Sequence, residues 1–349
     1  MGVMIDDFRI IPAGHCGSGS MRNLIYHYCD LDLPEAVVFG LGAGIDCVFF
    51  TRPEDTGFTL FGRGVTMEAD LARTLGIDYS EQTQPDNDLA WEAVRAEVDA
   101  GRPTMLSGDI LYLDYREYKV HFPGHRFVLL GYDDARQEVY IADRIKATPE
   151  TCSMAALRKS RNPPNAISTY NLWGKFHSGR VAVSLPAACE NALRLTVDRM
   201  LGRDSSQADL MSSSLIENAA LGTGLAGLTL LAGHMRNWPQ QSQAHFCARD
   251  LDNAIEKFGT GGACFRQHFA DFLGWAALQR PDLVTARIAV MAANAAGHWR
   301  SLASHLQPLK AEGAGVDLWQ PALAAMDQIV ETEQALFTAL DQCLAEQAA

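Results

Sequence analysis

A cysteine acts as a nucleophile through its thiolate, which needs a base within hydrogen-bond reach and a third group that holds the base. Three stretches carry those residue types in order: GHCGSGS from Gly14, HFPGHRFVLLGYDD from His121, and VYIADR from Val139. Cys16 stands among small residues directly before an amphipathic stretch. A helix starting there turns unpaired backbone N–H groups toward the sulfur and favours the thiolate. His125 follows Pro123-Gly124 and enters an apolar run, so its ring is expected to project from a strand end. Asp143 closes the next such run, and antiparallel pairing brings its carboxylate beside His125. Singly, each has a plainer reading: a core cysteine, a structural histidine, a turn-forming aspartate. The order Cys, His, Asp is what points to nucleophilic catalysis. His15 and His121 are rival bases; adjacency to Cys16 tends to turn the His15 ring away, and His121 sits in a loop before Pro123. Asp109, Tyr112, Asp114 and Tyr115 of GDILYLDY are expected to line the pocket, with core packing as the alternative for the tyrosines. The expected oxyanion donors are the backbone N–H groups of Cys16 and Gly17, with Asn23 further along the same helix face.

Certain elements must position these groups. Residues 18–28 place Met21, Leu24, Ile25 and Tyr28 at three- and four-residue steps, which predicts a helix. Strands are expected at 8–12, 36–39 and 47–51. The GLGAG between the last two lacks dinucleotide-fingerprint spacing and reads as a tight turn. Helices follow at 67–75 and 87–100, the second stopped by Gly101. Strand-like runs come next at 103–107, 127–131 and 138–143, with Asp133-Asp134 as a turn and a further strand at 178–185. A helix-borne cysteine followed by an antiparallel sheet that carries a histidine is the layout of papain-like folds. After Pro186 the pattern is helical, at 190–201, 208–215, 225–238, 244–258, 264–278, 281–306 and 318–344. The stretches 162–165 and 202–206 read as the least ordered. The expected fold class is therefore α+β: a papain-like cysteine-nucleophile domain at 1–185, then an all-α domain at 186–349.

The composition sets limits. At 349 residues the chain can bury two cores, and its 48% hydrophobic and 20% charged content is ordinary for a globular protein. A net charge of −13 argues against nucleic acid as a partner. The densest basic cluster, Arg158, Lys159 and Arg161, reads as a solvated loop. The eight cysteines show no metal-ligand spacing, so neither a metal nor a redox cofactor is expected. MGVMIDDFRI lacks the regions of a signal peptide, Asp6 spoils a myristoylation pattern, and the longest apolar run, 221–233, is too short to span a bilayer. A cytoplasmic protein with no membrane partner is the expectation. In KFGTGGACFRQHFADFL, residues 257–273, the glycines read as caps between two helices, or as a cradle for a pantetheine phosphate near Arg266.

Five motifs in order, GHCGSGSMRNLIYHY, VVFGLGAGIDCVFF, GDILYLDY, HFPGHRFVLLGYDD and VYIADR, resemble the N-terminal domain of butirosin biosynthesis protein H. The second half, with FGTGGACFRQHFADFL, resembles the domain of unknown function that commonly follows it. The resemblance covers nearly the whole chain and implies a papain-like cysteine acyltransferase. It implies Cys16 as the acyl-accepting nucleophile, His125 as general base and Asp143 as the residue orienting it. It further implies an acyl carrier protein as donor partner, a phosphopantetheine arm bearing the acyl group, and a small-molecule amine acceptor in a natural-product pathway. A glutamine that papain-type enzymes place about six residues before the cysteine is absent; Ile10 stands there. A cysteine hydrolase, either peptidase or thioesterase, and a non-catalytic carrier-binding scaffold are the alternatives. A homodimer is compatible with all three.

Overall fold

The computed structural model describes residues 2–51, 57–164, 168–212 and 220–347. In chain order the first half runs β1 (Gly2–Met4), α1 (Cys16–Cys29), α2 (Glu35–Leu41), β2 (Ile45–Thr51), β3 (Phe58–Arg63), α3 (Met67–Leu75), β4 (Tyr79–Gln82) and α4 (Asn87–Asp99). It continues through β5 (Thr104–Gly108), β6 (His125–Asp133), β7 (Glu138–Ala142), β8 (Glu150–Ser153), α5 (Met154–Arg161) and β9 (Trp173–Phe176). The second half is α6 (Leu185–Met200), α7 (Ser206–Ser212), β10 (Leu221–Gly222), α8 (Gly224–Met235), α9 (Ala244–Glu256), α10 (Arg266–Gln279), α11 (Ala286–Leu306) and α12 (Gln320–Glu346). The chain is thus α+β. It forms two compact units, Met1–Val38 with Gly76–Ala182, and Phe39–Leu75 with Val183–Ala349.

The first unit is built on an antiparallel sheet in the order β4-β9-β5-β6-β7-β8, with β1 also paired to β6. Strands β5 and β6 are buried almost throughout. That explains their near-continuous apolar runs, since a strand covered on both faces has no solvent side to mark with polar residues. Helix α1 packs on β5 and β6 through Met21, Leu24 and Ile25, none of which is exposed. Each such side chain stabilises the packing by roughly 1.5–3 kcal/mol. A Cβ on Gly19 would collide with that of Ala13, so glycine there lets the preceding loop lie close on the helix.

The structure corrects several expectations. Residues 36–39 belong to helix α2 rather than a strand, since a short apolar run does not by itself distinguish the two. Strand β1 lies at Gly2–Met4, and the expected strand at 8–12 is irregular; Asn23 takes up the Ile11 backbone there. The sheet's further strand is β9, not 178–185. Arg158, Lys159 and Arg161 form the last turn of α5, not a loop, where cations meet the helix's carbonyl end. The helix expected at 208–215 begins within α7, and its end lies outside the described residues, as does residue 165 of the loop expected at 162–165.

The division at 185/186 is also corrected. Residues 39–75, expected within the N-terminal domain, belong to the second unit and carry the β2–β3 hairpin there. Its Cys47, Phe49, Phe58 and Leu60 share one core with Leu228, Leu231, Trp238, Cys247, Trp299 and Trp319. Burial of an apolar hairpin face against helices, not sequence distance, decides membership. Of GLGAG, Gly40 and Leu41 end α2 and the expected tight turn follows at Gly42 and Ala43, where the Gly44 N–H donates back to the Phe39 carbonyl at 3.0 Å. Among the described residues no helix is long and apolar enough to cross a membrane.

Candidate active site

Cys16 is the first residue of α1, with His15 as its N-cap in extended conformation. The sequence places it there because His15 and Ser18 stand three residues apart, the spacing at which an N-cap side chain reaches back-turned donors. His15 Nδ1 accepts the Ser18 N–H at 3.2 Å and lies 3.0 Å from Ser18 Oγ. Ser18 Oγ donates to Glu35 Oε1 at 3.0 Å. Glu35 also accepts the N–H groups of Gly14 at 2.8 Å and His15 at 2.7 Å. The opposite side of the loop is held by Arg144, whose carbonyl accepts the Ala13 N–H at 2.7 Å and whose guanidinium donates to the Gly14 carbonyl at 3.1 Å.

Strand register brings the other two groups together. Gly108 on β5 pairs with His125 at the start of β6, and Val128 on β6 pairs with Ala142 at the end of β7. Asp143 follows at once, so the antiparallel turn between β6 and β7 returns its carboxylate to His125. His125 Nε2 faces Asp143 Oδ1 at 3.1 Å, off the line of an ideal hydrogen bond, so charge carries most of that pairing. Asp143 also accepts the Arg144 N–H at 2.7 Å and the Tyr115 hydroxyl at 2.9 Å.

Cys16, His125 and Asp143 are all buried, and both His125 and His15 act on the thiol. Burial opposes the thiolate, but the electrostatic pull of His15 and the hydrogen bonds from His125 and His15 outweigh it. They hold Cys16 well below the usual thiol range. Burial also opposes the imidazolium of His125, yet the Asp143 charge and the thiol push it up to about 10. Asp143 in turn is lowered, burial being outweighed by His125, Arg144 and Tyr115. Both shifts favour a thiolate beside an imidazolium at a helix N-terminus.

The remaining expected site residues divide. His15, expected to turn away, is on the thiol. Gly17 is buried in the first turn of α1. Tyr115 grips Asp143 rather than lining a pocket wall. Asn23 is a correction: its amide accepts from the Ile11 N–H at 3.1 Å and donates to the Ile11 carbonyl at 3.4 Å, so it braces the loop before the cysteine. Asp109, Tyr112 and His121 form a separate group. Asp109 meets His121 Nδ1 at 2.6 Å and accepts from the Leu111 and Phe122 N–H groups, which folds the loop after β5 on itself. Tyr112 lies edge-on to His121 and under the Lys159 ammonium. Asp114 accepts from the Ser153 N–H. Glu35, Ser18 and Arg144 were missed. Ser18 had a signal in its spacing from His15; Glu35 and Arg144 act across loops, where no spacing shows them.

Arg266 is buried and held by both oxygens of Glu333, at 2.7 and 2.9 Å, so it belongs to the second unit's core and is not open to a phosphate. Grooves of about 730 and 740 Å³ also lie in the second unit, one along Leu225, Leu230 and His234, the other along Ile288, Ala335 and Cys343.

Fold and site together define an α+β protein with a buried Cys–His–Asp group whose cysteine opens a helix. Residues 15–144 match the family described as butirosin biosynthesis protein H, N-terminal, and residues 153–340 match the domain of unknown function (DUF4872). The chain belongs to the family of proteins that join these two domains. The first match begins at His15 and ends at Arg144, the residues that flank the candidate site on either side. No curated protein matches the chain.

Proposed function

We propose that this protein is a papain-like cysteine acyltransferase of natural-product biosynthesis, which moves an acyl group from a carrier-bound pantetheine thioester to an amine. The observation that carries the reading is the buried Cys16–His125–Asp143 group at the start of α1. The family's named member, a butirosin biosynthesis protein, gives the biosynthetic setting.

The chemistry balances with these residues alone. The Cys16 thiolate attacks the thioester carbonyl, the C–S bond to the carrier breaks, and the departing thiolate takes the proton from His125. The acceptor amine then attacks the acyl-cysteine, neutral His125 takes the amine proton, and the Cys16 thiolate leaves. The resting thiolate–imidazolium pair is restored. Exchange between thioesters is nearly isoenergetic, so positioning is what the protein supplies. Asp143 keeps the imidazole oriented through both proton transfers. The N–H groups of Cys16 and Gly17, at the first turn of α1, face the developing oxyanion.

The test is intact-protein mass spectrometry after incubation with acyl-pantetheine thioesters. The reading expects a mass gain on the native chain that Cys16→Ala and His125→Ala lose, discharged quickly by amines and slowly by water. Rapid discharge by water alone makes the protein a hydrolase. No adduct from any thioester, with Cys16 inert to iodoacetamide at neutral pH, makes it a binding protein.

A further inference from the structure

We propose that His15 supplies a side-chain N–H to the oxyanion hole, with Ser18 and Glu35 as the positioning residues that hold its ring. The inference rests on the acyl-transfer reading and adds a donor that reading lacks. When a thiolate attacks a thioester, the carbonyl electron pair moves onto oxygen. Preorganised donors at that point are worth more than any other single feature of such a site. Ile10 has no donor, and the Asn23 amide is turned to the Ile11 backbone, accepting its N–H and donating to its carbonyl.

His15 meets the requirements. As N-cap of α1 it stands next to Cys16, with its ring against the first-turn Ser18 N–H, and it acts on the thiol that becomes bonded to the acyl carbon. Nδ1 receives the Ser18 N–H at 3.2 Å, a first-turn donor that a helix start must otherwise leave unpaired. Nδ1 is turned to Ser18, so the donating proton is assigned to Nε2. Glu35 closes the arrangement by accepting from Ser18 Oγ and from the backbone of Gly14 and His15. The ring is buried, so its N–H is fixed before substrate arrives and works away from bulk water. In the reaction it moves no proton. The Nε2–H donates while the Sγ–C bond forms, and the electron pair returns to the carbonyl as the carrier C–S bond breaks. Proton transfer stays with His125.

This separation of roles gives the experiment. Iodoacetamide consumes the thiolate by displacement at a saturated carbon, with no oxyanion; acyl-pantetheine needs one. Both rates are measured at alkaline pH, where the thiol is ionised in every variant. His15→Ala is expected to slow acylation by roughly 10²–10³-fold while alkylation changes by no more than about threefold. His15→Gln, which restores an N–H of similar reach, is expected to recover part of the acylation rate. Glu35→Gln is expected to slow acylation about tenfold with alkylation unchanged. The native alkylation rate in each variant also reports that the site is folded. Equal losses in both reactions overturn the proposal, because His15 then acts on the thiolate alone; so does full acylation by His15→Ala. A native chain that alkylates at Cys16 but accepts no acyl group from any thioester overturns the acyl-transfer reading itself, and this inference with it.

Discussion

Each unit buries a cysteine beside a cation paired with a carboxylate: Cys16 beside His125 and Asp143 in the first, Cys264 beside Arg266 and Glu333 in the second. The two thiols go opposite ways. Burial pushes Cys264 up to about 11, with Arg266 countering only in part and Glu333 and Glu256 adding to the rise. Cys16 meets the same burial and is held well below the usual range. The difference lies in which cations and carboxylates act on each sulfur. Arg266 directs its fork at Glu333 and at the carbonyls of Asp46, Gly62 and Cys264. His125 faces one carboxylate with one ring nitrogen and keeps the other for sulfur, and His15 adds a second donor. Position matters too. Cys16 opens α1, whereas Cys264 sits in a left-handed turn with φ 51° before α10. One buried cation tied to carboxylates does not activate a thiol; two imidazoles acting on the sulfur outweigh its burial.

The sharpest way to break this contrast is selective alkylation of the native protein at neutral pH. Cys16 is expected to react and Cys264 to be spared, because its thiol is held above the usual range while that of Cys16 is held below it. Labelling of Cys264 ahead of Cys16, read by peptide mass spectrometry, would refute it. Next in size is stability. Glu333→Ala leaves Arg266 buried and unpaired, and is expected to lose about 3–5 kcal/mol in denaturant unfolding. The joint replacement Arg266→Met with Glu333→Leu is expected to recover most of that loss, which marks the second pair as replaceable packing.

A pH profile separates the pairs further. His125 is raised from 6.5 to about 10. Its share of folding stability is complete below the ordinary histidine value and fades as pH rises through about 10. Cys16 is lowered, so its share is complete above the ordinary cysteine value and fades as pH falls through the lowered one. The alkylation rate is therefore expected to have an acid limb below the usual cysteine range and a plateau above that limb. In His125→Ala the limb should shift upward; an unmoved limb contradicts the pairing. Tyr115→Phe is the smallest change. Loss of one hydrogen bond to Asp143 is expected to slow acylation by roughly tenfold, corresponding to about 1.5 kcal/mol. Unfolding stability is expected to fall by no more than that.

Much of this contrast was legible before folding. Cys16 was marked by small residues ahead of a helical repeat, and His125 and Asp143 by their places at the ends of consecutive apolar runs. The strands β5, β6 and β7 and helices α1, α3 and α4 follow from periodicity, because each has one dominant burial pattern. The sequence did not show the short strands β1, β4, β8, β9 and β10, the alternating strand β3, or the contacts made between loops. The role of His15 escaped for a related reason. Neighbouring side chains usually diverge, and only the N-cap turn brings the ring of residue 15 back over residue 16.

Local sequence determined which residue carries the sulfur, which element presents it, and in what order base and carboxylate follow, since helix starts and strand ends depend on near neighbours. Tertiary structure decided the rest. It set the His125–Asp143 register, gave Asn23 to Ile11 and Tyr115 to Asp143, and moved the β2–β3 hairpin into the second core. Those outcomes depend on which distant surfaces are buried together, and no window of sequence contains both partners of such a contact.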